Sequence, residues 1–287
     1  MISHWLYAAR LKTLPVSLCP VILALALAND VGSFNLPVAI VIFLCVLLIQ
    51  IGTNFANDYF DYIKGADTSD RIGPKRMTQA GNINPQAMKH AFTLMFIMAV
   101  FCGIYLVYHG GWPILCIGIC SVFFGLIYTA GPFALAYIGG AEFISFLFFG
   151  PISVIGTYYL QTLSWRWDLI TIGSALGLIT SALLVVNNTR DIDSDKLVNK
   201  KTFAVRFGRL FSYIEYILCM YAPILLLDYL TNDSTYQMGM VLFLVFIAMI
   251  LSRRFGKAKG AAFNQLLGLT SSYLILFTMI SIYLLTV

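Results

Sequence analysis

From His90 to Ala141 the chain carries no Asp, Glu, Lys or Arg. A run of that length cannot be hydrated as a surface and cannot be hidden in one small core, so it confines the fold to a lipid interior. Over all 287 residues, 60% are hydrophobic and 11% charged, which would leave a water-soluble globule almost nothing to solvate its exterior. The sequence is that of an all-α integral membrane protein.

A helix needs roughly 17 to 25 apolar residues to cross about 30 Å of hydrocarbon. Uncharged runs of that length predict nine transmembrane helices, near residues 13–29, 36–57, 86–108, 112–132, 139–160, 168–189, 210–230, 235–252 and 262–285. The third and fourth share the long uncharged stretch and are divided at "HGGWP", where Gly110, Gly111 and Pro113 favour a turn. Lys and Arg set the orientation, because cytoplasmic loops are enriched in them. With the N-terminus cytoplasmic, 17 of the 18 fall on one side and only Arg166 on the other. The net charge of +5 then describes a cytoplasmic rim suited to anionic headgroups, with no special claim for nucleic acid. The expectation is a single multi-pass domain over 1–287 in the inner (cytoplasmic) membrane, with loops at about 58–86 and 190–209 facing the cytoplasm and no cleaved signal peptide.

Cys19, Cys45, Cys102, Cys116, Cys120 and Cys219 lie in apolar spans without a C-x-x-C pair, and His4, His90 and His109 are scattered; neither type suggests a metal site. The acids do. Seven of 13 Asp and Glu fall in two segments, Asp58, Asp61, Asp67 and Asp70 in one and Asp191, Asp193 and Asp195 in the other. If each span continues as a helix through its acidic end, Asn54, Asn57 or Asp58, and Asp61 share one face, as do Asn188, Asp191 and Asp195, with Asp193 off it. Two carboxylates one turn apart, roughly 6 Å, repel by about 3 kcal/mol at an effective dielectric near 20, so a cation should hold them. Magnesium suits such a site, taking one or two carboxylates and completing its shell with water and phosphate oxygens. Lys64, Arg71, Lys75, Arg76, Arg190, Lys200 and Lys201, interleaved with the acids, are candidates for the remaining oxygens of a phosphate. Four spans separate the clusters, so a bundle can bring both across one central cavity open to cytoplasm at its charged end.

"NDYFDYIKGAD" and "NNTRDIDSD" resemble the two aspartate-rich motifs of the UbiA superfamily of intramembrane aromatic prenyltransferases, an all-helical fold of nine transmembrane helices. The likeness extends through "RLKTLP", "DRIGPKRMTQAG" and "GGAEFISFLFFGPISVIGTYYLQ", in an order similar to the branch that prenylates 1,4-dihydroxy-2-naphthoate in menaquinone synthesis. Leu11 stands where that branch has proline, and Glu142 where it has aspartate.

The resemblance implies Mg2+-dependent transfer from a polyprenyl diphosphate to 1,4-dihydroxy-2-naphthoate, with loss of pyrophosphate and CO2. Asp58, Asp61, Asp191 and Asp195 would hold the magnesium ions, with Asp67 added by the family pattern. Lys64, Arg71, Arg76, Arg190 and Lys201 would grip diphosphate, with Asn54, Asn57 and Asn188 as polar support. Arg10 and Lys12 would bind the acceptor's carboxylate, and Glu142 would meet its hydroxyls or take a proton. Tyr59, Tyr128 or Tyr158 would turn a ring toward the allylic cation. Two alternatives are a sister prenyltransferase using another aromatic ring and a transporter, which would place its acids at midplane on broken helices.

Overall fold

The computed structural model describes residues 2–65, 72–131, 134–231 and 235–287, and every regular element among them is helical. α1 (Ile2–Ala9) leads through a 3-10 turn (Leu11–Thr13) into α2 (Leu14–Asp30). α3 (Leu36–Ile63), α4 (Pro85–Gly110) and α5 (Trp112–Ile127) follow, then three shorter helices, α6 (Leu135–Ile138), α7 (Ala141–Phe148) and α8 (Pro151–Thr162). α9 (Leu169–Arg190) and α10 (Ile192–Leu197) precede the three long helices α11 (Phe203–Leu230), α12 (Thr235–Lys257) and α13 (Ala262–Thr286).

Eight segments among the described residues are long and apolar enough to cross a membrane, counting α7 and α8 as one. The expected fourth span, 112–132, is the shortfall. α5 stops after 16 residues, about 24 Å of rise against about 30 Å of hydrocarbon. Gly131 at φ 77 turns the chain there, and the Lys64 ammonium takes the carbonyls of Thr129 (2.7 Å) and Gly131 (2.9 Å). The expected seventh span, 210–230, begins where Gly208 (φ 78, ψ −176) kinks the start of α11 away from the rest.

α9 is the central helix. Leu176, Ile179, Ala182 and Val186 are fully buried, packed with residues of α2, α8, α11, α12 and α13. A second cluster joins α1, α3 and α4, and a third joins α2, α3, α4, α5 and α8. The expected span 139–160 is two helices, because Gly150 (φ −126, ψ −113) and Pro151 interrupt the backbone ladder. That break rests against α9 at Gly173 and Gly177, four residues apart. A Cβ on Gly150 would stand 2.6 Å from the Gly173 carbonyl, and one on Gly177 2.5 Å from the Phe146 carbonyl. Small residues at this spacing let two helices approach backbone to backbone.

Candidate functional site

A cavity of about 740 Å³ runs between α2, α3, α4, α5, α7, α8 and α9. Its walls are mostly apolar, with Ile42, Ile117, Phe124 and Phe148 among them, and its polar end gathers Arg10, Lys12, Asn54, Asn57, Tyr128 and Asn187. Both aspartate motifs border that end: the charged neighbours of Tyr128 are Glu142, Arg10, Asp61 and Asp195.

α3 runs unbroken through its acids, so Asn54, Asn57, Asp58 and Asp61 all lie buried on its inner side. Their tasks differ. Asp58 accepts the backbone N–H of Met77 at 3.0 Å and of Thr78 at 2.9 Å, one on each oxygen, and so caps the turn that carries Arg76. Asp61 pairs with the Arg76 guanidinium at 2.5 Å, both side chains being almost wholly buried, and its other oxygen receives the Tyr137 hydroxyl at 3.2 Å. Asn54 donates to the Ala9 carbonyl at 2.9 Å, and Asn57 accepts from Thr129 Oγ1 at 2.7 Å; both fix loops around the cavity mouth.

The second motif does not continue as one helix. α9 ends at Arg190, Asp191 (φ −96, ψ 9) forms the bend, and Asp195 belongs to α10, so the expected common face of Asn188, Asp191 and Asp195 is divided between two helices. At the bend the Arg190 guanidinium pairs with Asp191 through bonds of 2.8 and 2.7 Å and reaches Asn264 Oδ1 at 2.8 Å. Asp195 is buried and faces the Lys200 ammonium at 3.4 Å. Asp193 is exposed, as its position predicts. Asn188 is turned from the aspartates and donates to Glu142 Oε1 at 2.5 Å. Glu142 is buried, and its Oε2 has no hydrogen-bond partner. Asp67, Asp70 and Arg71, expected at the site, lie outside the described residues.

Tyr137 joins the two motifs, and nothing in the sequence marks it. Its ring lies beneath two ammonium groups, Lys64 at 4.3 Å and Lys200 at 4.9 Å, while its hydroxyl holds Asp61. The backbone is tied as well: Lys201 N–H donates to the Tyr137 carbonyl at 2.8 Å, and Gly139 (φ 85) leaves no room for a Cβ, which would sit 2.7 Å from the Lys201 carbonyl. The chain Asp61–Tyr137–Lys200–Asp195 thus links the two motifs. Partial removal from water holds the Lys64 amine below the ordinary lysine range; the nearby Asp61 pulls it up and Lys200 pushes it further down. The Lys201 side chain is exposed. Of the three tyrosines considered for a cation, Tyr128 lines the cavity, Tyr59 packs against Phe60 and Phe92, and Tyr158 belongs to the core.

Arg10 and Lys12 both reach the cavity. Arg10 holds a left-handed backbone (φ 52, ψ 59), a conformation a β-substituted residue adopts at a cost, and such outliers gather at functional sites. Hard carboxylate oxygens suit magnesium, and Asp61, Asp191 and Asp195 each face one base. No three acids among the described residues stand close enough to form a complete cage.

This fold recurs in known structures. A UbiA homolog from Archaeoglobus fulgidus, solved bound to GPP and Mg2+, superimposes with a TM-score of 0.67 at 14% identity, covering 99% of this chain and 100% of that one. The architecture is that of the intramembrane prenyltransferases. Residues 17–284 match the UbiA prenyltransferase family, and the chain belongs to it. It is similar to the 1,4-dihydroxy-2-naphthoate octaprenyltransferase of Escherichia coli (strain K12), 38% identical over 210 residues that make up 71% of this chain and 68% of that one. It is also similar to UbiA prenyltransferase domain-containing protein 1 of Homo sapiens, 28% identical over 273 residues, 92% of this chain and 78% of that one.

Proposed function

We propose that the protein transfers a polyprenyl group from an allylic polyprenyl diphosphate to 1,4-dihydroxy-2-naphthoate, releasing pyrophosphate and CO2 and yielding demethylmenaquinol, the reduced form of demethylmenaquinone. The observation that carries this reading is the meeting of two ion-paired aspartate motifs at the polar end of an otherwise apolar cavity. The names of relatives at 38% identity support the acceptor, and the GPP and Mg2+ of a structural neighbour support the donor and metal.

Asp61, Asp191 and Asp195, with Asp67, are the carboxylates we assign to Mg2+, which when bound neutralises charge on the departing diphosphate. Asp58 is assigned to the turn bearing Arg76, since each of its oxygens already accepts a backbone N–H. Arg76, Arg190 and Lys200, which pair with the carboxylates, and Lys64, which holds the Thr129 and Gly131 carbonyls, turn to the diphosphate when substrate enters. Arg71 and Lys201 are assigned to the same anion from the rim. The apolar wall keeps water from the allylic carbon while its C–O bond breaks and a C–C bond to the ring forms. Arg10 and Lys12 are assigned to the acceptor's carboxylate. The unpartnered oxygen of Glu142 is assigned to the acceptor's proton, with Asn188 fixing the other oxygen. On this reading the polar mouth faces the cytoplasm, in the inner membrane.

The test is turnover by purified protein in detergent with polyprenyl diphosphate and 1,4-dihydroxy-2-naphthoate, with and without Mg2+. Metal-dependent demethylmenaquinol, recovered as demethylmenaquinone after oxidation in air, is expected together with pyrophosphate and CO2. Product with a different aromatic ring but not this one would move the protein to a sister activity. Absence of pyrophosphate with every acceptor would overturn the enzymatic reading.

A further inference from the structure

A second cavity, of about 510 Å³, opens between α12 and α13. Its mouth carries Arg253, Arg254 and Lys257, all exposed, and its wall continues into Ile250, Leu266 and Leu269. Ala262 and Gln265 complete the rim. The cavity lies at the end of the bundle where the aspartate motifs are, because Asn264, one residue from Gln265, bonds Arg190 at 2.8 Å and the Ile72 carbonyl at 3.0 Å.

Capping does not occupy these three cations. The last carbonyls of α12 are satisfied by the backbone, Ala258 N–H donating to Arg254 O at 2.8 Å and to Phe255 O at 3.2 Å, and the Arg209 guanidinium takes the Ala258 carbonyl. Ion pairing does not occupy them either. The pairs among the described residues are Arg76–Asp61, Arg166–Asp168, Arg190–Asp191 and Lys200–Asp195, and the segment "RRFGKAKG" from Arg253 to Gly260 contains no acid. Three unmatched positive charges therefore crowd one opening, above an apolar slot between two membrane helices. Water alone has no use for the slot, and a free anion has no use for its apolar wall.

We propose that this groove binds an anionic phospholipid of the bilayer, its phosphate among Arg253, Arg254 and Lys257 and an acyl chain along Ile250, Leu266 and Leu269. Charge complementarity and the continuity of cationic mouth with apolar wall commit the site to lipid, since basic pockets between membrane helices collect lipid headgroups. The assignment is independent of the reaction proposed for the larger cavity.

Native mass spectrometry of the full chain released from detergent, titrated with phosphatidylglycerol or phosphatidylcholine, tests it. One phosphatidylglycerol should be retained in preference to phosphatidylcholine. Retention should weaken about fivefold for each cation removed, and roughly a hundredfold in R253Q/R254Q/K257Q. Ala262→Trp keeps every charge and fills the slot, so it should lose the lipid as well; Lys257→Gln alone gives the fivefold effect should the triple variant fail to fold. Equal retention of the two lipids, or unchanged retention in Ala262→Trp, would reduce the groove to an ordinary charged rim and overturn the proposal. Displacement of the lipid by millimolar inorganic phosphate would do so too, marking a free-anion site.

Discussion

The Tyr137 hydroxyl donates to Asp61 Oδ1 at 3.2 Å while the tyrosine ring faces the ammonium of Lys200, which pairs with Asp195. Two motifs on separate halves of the chain are therefore linked through one aromatic side chain. A hydrogen bond to a charged group is worth about 1.5 to 3 kcal/mol, and a cation over a ring about 0.5 to 1 kcal/mol at exposed sites. Tyr137→Phe removes only the first. We expect a rise in KM for the polyprenyl diphosphate of about tenfold with the fold intact, and a larger loss in Tyr137→Ala, measured by pyrophosphate release beside melting curves.

Arg76 and Asp61 form a pair with almost no access to water, at 6% and 3% side-chain exposure. Removing one partner of such a pair leaves an uncompensated buried charge, a cost of about 3 to 5 kcal/mol. If Asp61 also receives magnesium, the metal replaces the lost cation. Arg76→Gln should therefore melt well below the wild type in EDTA and recover much of the difference in millimolar Mg2+. Equal melting with and without Mg2+ in that variant would remove Asp61 from the metal site.

The contact between the α7–α8 break and α9 depends on two glycines. A side chain at Gly177 would press its Cβ to 2.5 Å from the Phe146 carbonyl and to 2.9 Å from the Phe146 ring. The nearer atom is backbone and cannot swing aside. Gly177→Val is expected to destabilise by about 1 to 3 kcal/mol, the usual cost of overpacking, and to displace Ser145 and Phe148 in the cavity wall. Thermal denaturation in detergent and a shift toward shorter prenyl donors would report the two effects.

Spans and aspartates were legible because each is written in local sequence. An uncharged run reads as a membrane helix wherever its neighbours lie, and α3 continues through Asp58 and Asp61 because both acids fall on the inward side that Asn54 and Asn57 already define. The rest depended on distant partners. Tyr137 looks like any of the 16 tyrosines until the 134–139 turn is folded against Lys64 and Lys200. Gly173 and Gly177 look like ordinary helix residues until Gly150 is placed against them. The break at Asp191 was hidden because Arg190 is tied there both to the next residue and to Asn264, 74 residues away. At Asp58 the sequence hides a second task, since its partners are main-chain N–H groups 19 and 20 residues away, and a carboxylate that caps a turn has the same letter as one that holds a metal.

That difference at Asp58 can be measured against Asp61. In Asp58→Asn one side-chain oxygen still accepts a backbone N–H, but the amide nitrogen that replaces the other faces a second donor. One buried N–H of the Met77–Thr78 turn is then left unsatisfied, at about 1 to 3 kcal/mol. The loss is independent of metal, so the variant should melt lower than the wild type by the same amount in EDTA and in Mg2+. Its activity should fall because Arg76 is carried on the turn that Asp58 holds. Asp61→Asn should differ in kind: it removes a metal oxygen, so the gain in melting temperature that Mg2+ gives the wild type should shrink or vanish. Loss of the Mg2+-induced stabilisation in Asp58→Asn as well would return Asp58 to the metal site, and the turn would then be a by-product of a ligand in its metal-free state.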